Sequence, residues 1–162
     1  MVVIFLDIDG VLATTKQFYM NREKYQSNNF LAKELDLWYP FDKKCVNIFN
    51  EITDSCENKV VLSSDWKESF SPTEIDKIFK MNGVKAPIVD RTSDYSMFDA
   101  TRTKIRQEEI SAYIRNLEVK NYIIFDDLPL TLPNFFHTNL NEGLKQTNLK
   151  NKILRKLNSF QN

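Results

Sequence analysis

The chain has 162 residues, of which 42% are hydrophobic and 27% charged, and its 22 basic and 22 acidic side chains leave a formal net charge of zero. This length and composition fit one globular domain and exclude a disordered chain. The balanced charge gives no reason to expect a nucleic acid or an anionic membrane as an obligatory partner. The two cysteines, Cys45 and Cys56, are too few for a secreted disulfide scaffold or a zinc site, so we expect reduced thiols.

The N-terminal segment 1–7 contains a short apolar run with no basic residue ahead of it. A signal peptide needs a longer apolar core, and no stretch of the sequence approaches the length of a transmembrane helix. We therefore expect a single domain over residues 1–162, no membrane partner and a cytoplasmic location.

Short apolar runs alternate along the chain with longer segments of helical periodicity. Buried strands are predicted at 2–6, 60–62, 88–89, 122–125 and 135–138. Helices are predicted at 40–55, 71–82, 101–117 and 148–160. The polar and aromatic segment 13–40 has weak periodicity and predicts an irregular insertion with room for one short helix. Strands that alternate with helices indicate an α/β fold with a parallel sheet.

Polar side chains follow three of the predicted strands at the point where each strand ends. The first strand is followed by Asp7 and Asp9, the second by Ser63 and Ser64, and the fourth by Asp126 and Asp127. Ligands of open parallel sheets bind beyond the carboxyl ends of the strands. We therefore expect these side chains to converge on one site although they lie far apart in sequence.

Four carboxylates in one crevice repel each other, and a hard cation relieves that repulsion. Magnesium suits such a cluster because it takes one or two carboxylates, water and a phosphate oxygen of a substrate. Phosphoryl transfer also needs a nucleophile, charge neutralisation and an acid for the leaving oxygen. The sequence thus predicts a Mg²⁺ site for phosphoryl transfer, with the candidate ligands Asp7, Asp9, Asp126 and Asp127.

The same segments resemble the motifs of the haloacid dehalogenase (HAD) superfamily. Residues 5–12, a hydrophobic strand followed by Asp-x-Asp-Gly-Val, resemble the first motif, residues 61–64 the second, and residues 123–127 the fourth. The third motif is a single Lys or Arg, for which Arg106 is our choice. Arg102 and Lys104 are the alternatives.

A narrower resemblance runs from Ser63-Ser64-Asp65-Trp66 through Arg106-x-x-Glu109-Ile110 to Gly143-Leu144. This part of the chain looks similar to the phosphatase-like domain of multi-domain RNA repair proteins. The wider resemblance implies a Rossmann-like three-layer sandwich, with a central parallel sheet and small cap insertions.

The resemblance also implies roles for the two acids of the first motif. Asp7 is the nucleophile that forms an aspartyl phosphate, and Asp9 protonates the leaving oxygen and then deprotonates the attacking water. Dehalogenases and P-type ATPases of the superfamily lack an acid at the second position. The presence of Asp9 therefore favours a phosphatase.

The other motif residues would bind the phosphoryl group and the metal. Ser63, or Ser64 beside it, donates a hydrogen bond to the phosphoryl oxygens, and Arg106 neutralises their charge. Asp126 ligates Mg²⁺, and Asp127 is either a further ligand or supports one.

Two other functions remain open alongside a phosphatase. One is a catalytically idle domain that binds a phosphorylated ligand or a protein partner, although the intact Asp7 and Asp9 argue against it. The other is phosphoryl transfer to an acceptor other than water. Small insertions leave a site open, which suits a large substrate such as a nucleic-acid end or a phosphoprotein, while small phosphorylated molecules stay candidates.

Three further features have a structural and a functional interpretation. The only histidine, His137, lies beside two phenylalanines, and we expect a satisfied, partly buried side chain. For Trp66, packing is favoured over stacking on a substrate. The C-terminal basic stretch is expected to be the solvated face of a helix rather than a polyanion site; it comprises Lys145, Lys150, Lys152, Arg155 and Lys156.

Overall fold

The computed structural model describes residues 1–17, 19, 40–95 and 100–161. The predicted insertion at 13–40 therefore lies largely outside the described residues. The strands are β1 (Val2–Leu6), β2 (Asn58–Leu62), β3 (Ile88–Arg91), β4 (Tyr122–Asp126) and β5 (Phe135–His137). The helices are α1 (Lys43–Asp54), α2 (Trp66–Ser69), α3 (Pro72–Met81), α4 (Arg102–Asn116) and α5 (Leu149–Asn158), with a 3-10 turn at Gly143–Lys145.

The five strands form one sheet in the order β3-β2-β1-β4-β5, and all neighbouring strands are parallel. The apolar strand β1 lies at the centre, where both of its faces are buried. Its last residue, Leu6, pairs with Leu62 of β2 and with Phe125 of β4. This register brings the carboxyl ends of the three central strands level with one another.

Side chains of the sheet alternate between two cores, which gives the molecule three layers. Ile4 and Leu6 belong to the larger core, together with the buried faces of α1, α3 and α5. Val3 and Phe5 belong to the smaller core, where Ile110 of α4 covers the sheet. The predicted Rossmann-like α/β fold with a central parallel sheet is confirmed.

Side-chain caps mark the starts of α1 and α3. The side chain of Asp42 accepts hydrogen bonds from the backbone N–H groups of Lys44 and Cys45 at the start of α1. Ser71 and Glu74 form a reciprocal capping box at the start of α3. The short helix α2 was not predicted, because four residues do not display a period. Within the described ranges, no helix is long and apolar enough to cross a membrane.

The prediction for His137 is wrong in one respect. The side chain is exposed rather than partly buried, and its Nε2 atom lies 2.8 Å from the carbonyl oxygen of Asp127. His137 ends β5, the edge strand, so one side of its ring faces solvent.

The turn after β1 packs against the backbone at Gly143. The Leu144 N–H donates to the carbonyl oxygen of Val11 at 3.1 Å. Gly143 has a φ of +54°, and a Cβ atom there would lie 2.4 Å from that same oxygen. The backbone of the 3-10 turn can therefore approach the motif turn closely only because residue 143 is glycine.

We predict that Gly143→Ala destabilises the protein more than Gly83→Ala. Gly83 also has a positive φ, +78°, but a Cβ atom there would meet no atom within 4 Å. The left-handed backbone alone should cost about 1–2 kcal/mol in either variant. The clash with Val11 should add about 1–3 kcal/mol in Gly143→Ala. Urea denaturation of both variants measures the difference, and equal losses would show that the Val11 contact relaxes freely.

Candidate active site

Asp7 directly follows the central strand β1, at the point where the order in which the chain adds strands to the sheet reverses direction. β2 lies on one side of β1 and β4 on the other, which is where ligands bind in open α/β sheets. The Asp7 N–H donates to the carbonyl oxygen of Phe125 at 3.0 Å, and the Ser63 N–H donates to Leu6 at 2.9 Å. These bonds continue the ladder one residue beyond β1, so the Asp7 backbone is fixed by the sheet itself.

The turn that follows β1 brings Asp127 close to the first motif. The Ile8 carbonyl oxygen accepts from the N–H groups of Leu12 and Ala13, and Gly10 has a φ of +68°. A Cβ atom on Gly10 would lie 2.6 Å from the Cβ atom of Asp127. Glycine is therefore required at position 10 for the acidic pair after β4 to pack against this turn.

Three carboxylates converge at these strand ends. One oxygen from each of Asp7, Asp126 and Asp127 lies within 4.8 Å of the others. Burial and the charge of Asp126 raise the pKa of Asp7 to about 8, against the opposing effect of Arg106. Burial also raises the pKa of Asp126. The cluster thus holds more negative charge than its surroundings stabilise, and its oxygen donors fit a hard divalent cation.

The carboxylate of Asp9 is directed elsewhere. It is not part of the three-carboxylate group found among the described residues, and its Oδ2 atom accepts a hydrogen bond from Trp66 Nε1 at 2.8 Å. Burial raises the pKa of Asp9, and the Trp66 hydrogen bond opposes that rise. Direct ligation of a metal by the Asp9 side chain stays a prediction.

Arg106 is the buried cation of the site. It projects from α4 with 2% of its surface exposed, and Nη1 donates to Asp126 Oδ2 at 2.6 Å and lies 3.5 Å from Asp7 Oδ1. Burial disfavours its charge, but Asp7 and Asp126 outweigh burial and raise the pKa of Arg106. Of the three candidate cations of the third motif, Arg106 is the one that contacts the carboxylate cluster.

The two alternatives to Arg106 lie differently. Arg102 also borders the site, where its guanidinium group contacts Asp65 and lies 3.3 Å from Glu68 Oε1. Lys104 is exposed and does not line the cleft. Asp65 also contacts Arg106, so one half-exposed carboxylate bridges both arginines.

The two serines of the second motif are both buried but face different surroundings. Ser64 borders the cleft and forms a side-chain hydrogen bond with Asp7. Ser63 is fully buried, and its hydroxyl group has no hydrogen-bond partner within the described part of the chain. Ser64 is therefore the serine at the cleft, and a role for either hydroxyl in phosphate binding stays a prediction.

The site opens through a cleft of about 110 Å³ beyond the carboxyl ends of β1, β2 and β4. Its lining residues are Asp7, Asp9, Ser64, Asp65, Arg102, Arg106, Asp127 and Leu128. The lining of the cleft combines four carboxylates with two guanidinium groups. It can hold a cation and an anionic group side by side.

Two contacts of the site were missed by the sequence analysis. Trp66 was expected to pack, and it does pack on Phe41 and Phe70, but it also binds Asp9 through its indole N–H. The second contact is a buried ion pair behind Arg106. The Lys67 ammonium group lies 3.0 Å from Glu109 Oε2, which lies 3.8 Å from Arg106 Nε.

The pair of Lys67 and Glu109 supports Arg106 from the side away from the cleft. The Lys67 side chain is fully buried, and Nζ also donates to the hydroxyl oxygen of Thr92 at 3.1 Å. A buried carboxylate with a buried ammonium partner is held in place on both sides. The position of Glu109 one helical turn after Arg106 was the only signal in the sequence for this contact.

Comparison with known protein families agrees with the geometry of the site. A family model described as "HAD domain in Swiss Army Knife RNA repair proteins" matches residues 3–149. No curated protein and no solved structure shows a significant match. The matched range covers β1 from Val3 onward, the other four strands and every residue that lines the cleft, so the chain belongs to the family of HAD domains found in Swiss Army Knife RNA repair proteins.

Proposed function

We propose that this protein is a Mg²⁺-dependent phosphomonoesterase that works through an aspartyl phosphate on Asp7. The observation that carries the proposal is the convergence of Asp7, Asp126 and Asp127 beside Arg106 in a chain of the HAD family. Mg²⁺ bound by these carboxylates would neutralise charge on the phosphoryl oxygens. Arg106 and Ser64, which also line the cleft, would bind the same oxygens.

The reaction needs two steps, and the chain supplies a group for each proton. In the first step an Asp7 oxygen attacks phosphorus, the bond to the leaving oxygen breaks, and Asp9 gives its proton to that oxygen. In the second step a water molecule attacks the aspartyl phosphate while Asp9 takes the proton of the water. Phosphate leaves, and both aspartates return to their starting states.

The substrate we propose is a phosphate ester at a nucleotide or a nucleic-acid end. The family to which the chain belongs is named for domains of RNA repair proteins. A ribose oxygen is a poor leaving group and benefits from an acid such as Asp9. The alternative function, an idle domain that binds a phosphorylated ligand, predicts binding to the same cleft without turnover.

We predict that turnover requires a divalent cation and Asp7. Excess chelator should abolish hydrolysis of an aryl phosphate, and added Mg²⁺ should restore it. Asp7→Asn keeps the shape of the side chain but removes the attacking charge, so turnover should fall by at least about 10³-fold. Asp76→Asn is the matched control and should retain full activity, because its half-buried side chain on α3 does not line the cleft. Turnover in chelator, or an active Asp7→Asn preparation, would refute the mechanism.

We also predict that Asp7→Asn stabilises the metal-free protein at neutral pH. The pKa of Asp7 is about 8 in the folded protein and near its ordinary value of 3.8 in the unfolded chain. Between these two values the folded state keeps a proton that the unfolded chain releases, so the stability of the wild type falls as pH rises. Asn does not ionise, so the stability of Asp7→Asn does not fall with rising pH for this reason.

At about pH 7 the free energy of unfolding of Asp7→Asn should exceed that of the wild type by about 1–3 kcal/mol. This difference should shrink towards about pH 4. Urea denaturation in chelator measures it, with Asp76→Asn again as the control. Mg²⁺ should stabilise the wild type and not Asp7→Asn. A gain that does not change with pH would show that the buried charge of Asp7 is not its cause.

Asp9→Asn should separate the two acids of the first motif. General acid catalysis is worth about 10²–10⁴-fold, and a poor leaving group needs it most. The rate of the phosphorylating step should therefore fall much further for an alkyl or ribose phosphate than for a nitrophenyl phosphate. Burst and steady-state rates on both substrates test this. Equal losses in the burst would leave Asp9 without a role as general acid.

A further inference from the structure

Two further clefts adjoin the catalytic cleft on the side of Asp9. The first, of about 220 Å³, shares Asp9 with the catalytic cleft and is also lined by Thr14, Tyr19 and Trp66. The second, of about 330 Å³, is lined by Lys16, Gln17, Asp42, Lys43, Lys44 and Lys145, and we call it the lysine cleft. The Thr14 hydroxyl donates to Asp42 Oδ2 at 3.3 Å, so the two clefts meet at this contact.

The lysine cleft carries a local excess of positive charge on a chain whose net charge is zero. Four lysines line it against one aspartate, and that aspartate is already paired with Lys145. Lys16, Lys43 and Lys44 are exposed, and they take part in none of the ion pairs formed between described residues. The cleft is thus ready to receive negative charge from outside the chain.

The placement of Lys43 and Lys44 goes against local helix electrostatics. Both lie in the first turn of α1, which contains no acidic residue. The N-terminal end of a helix carries partial positive charge and favours anions over cations. The Asp42 carboxylate caps this end of the helix, and the two lysines add positive charge that a bound anion would offset.

Two of the lysines of α5 contact other side chains of the chain. Lys150 lies 2.7 Å from Glu51 Oε2, and the Lys156 ammonium group lies 4.8 Å from the centre of the Phe160 ring. Helix α5 is therefore less suited to an external anion than the lysine cleft. Its lysines provide a natural control of similar charge.

The direction of a bound substrate follows from the role of Asp9, and in this respect the inference depends on the proposed function. If Asp9 protonates the leaving oxygen, the remainder of the substrate extends past Asp9 into the cleft beside Trp66 and Tyr19. Tyr19 exposes 58% of its surface there. Beyond it lies the lysine cleft. Aromatic side chains followed by basic ones suit the stacked bases and the phosphodiester backbone of a single strand.

We propose that the lysine cleft binds the phosphodiester backbone of a single-stranded nucleic acid whose phosphorylated end occupies the catalytic cleft. The protein would then act on an oligonucleotide in preference to a mononucleotide. The lysines would contribute to affinity through phosphate contacts, without reading base sequence.

Binding tests the cleft without any turnover. Fluorescence anisotropy would measure the affinity of a labelled single-stranded RNA of about ten nucleotides for the wild type, for Lys43→Gln/Lys44→Gln, and for Lys152→Gln/Lys156→Gln on α5. We expect the first variant to lose about tenfold in affinity at low salt. The slope of log K against log salt for this variant should be shallower by about 1.4. Two phosphate contacts are lost, and each contributes about 0.7 to the slope on a single strand. The α5 variant should stay within about twofold of the wild type.

Equal losses in the two variants would overturn the proposal, because the charge of the whole chain would then be responsible. Single-stranded DNA in place of RNA shows whether the sugar matters. A poly-glutamate peptide that binds as tightly as RNA, with the same dependence on Lys43 and Lys44, would overturn the proposal in favour of an acidic protein partner.

Kinetic measurements test whether one substrate occupies both the lysine cleft and the catalytic cleft. For 3′-phosphorylated substrates of increasing length, kcat/KM relative to that for an aryl phosphate should rise in the wild type and stay flat in Lys43→Gln/Lys44→Gln. A length dependence that persists in this variant would refute the path through the lysine cleft. If no phosphomonoester is hydrolysed but RNA binding still depends on Lys43 and Lys44, the proposed function fails and the binding site stands.

Discussion

Arg106 and the carboxylates of Asp7 and Asp126 form the interaction on which the rest of the site depends. Two buried carboxylates at neighbouring strand ends are costly, and the guanidinium group between them offsets part of that cost. Removing Arg106 should cost about 3–5 kcal/mol, because both buried carboxylates would then be left without a compensating charge. The same cluster that prepares the site for a cation and a phosphate is therefore a weak point of the metal-free fold.

The surroundings of Arg106 explain why an arginine suits this position better than a lysine. Its planar group contacts Asp126 through Nη1 and Asp65 through Nη2, and its Nε side faces Glu109. A lysine ammonium group is a single point charge and cannot serve three carboxylates spread around a plane. The buried Lys67 in turn neutralises Glu109. Charges of alternating sign thus run from the catalytic cleft into the interior.

The strands and the strand-end acids could be predicted from the sequence because both depend on local patterns. The apolar run of β1 needs burial on two faces, and this places Asp7 at the end of a central strand. Helix periodicity could also have removed one candidate cation. Residues advance by about 100° around a helix, so Lys104 points roughly opposite to Arg102 and Arg106, which are one turn apart on the same face.

Other features of the site could not be predicted, because they depend on how distant segments pack. Arg102 and Arg106 share a face of α4, and only burial against the sheet distinguishes them. The bond from Trp66 to Asp9 joins residues 57 positions apart and follows from the short helix α2, which has no periodic signal of its own. The contact between Lys67 of α2 and Glu109 of α4 could not be predicted for the same reason.

The bridging position of Asp65 bears on how a phosphate enters. Its carboxylate contacts both arginines that line the cleft, so an incoming phosphoryl group competes with it for the same donors. The Asp65 side chain is 54% exposed, whereas that of Arg106 is 2% exposed. Asp65 can therefore turn into solvent when a phosphate takes its place beside Arg106, which stays in position. The doubly charged phosphate then gains donors that are already oriented.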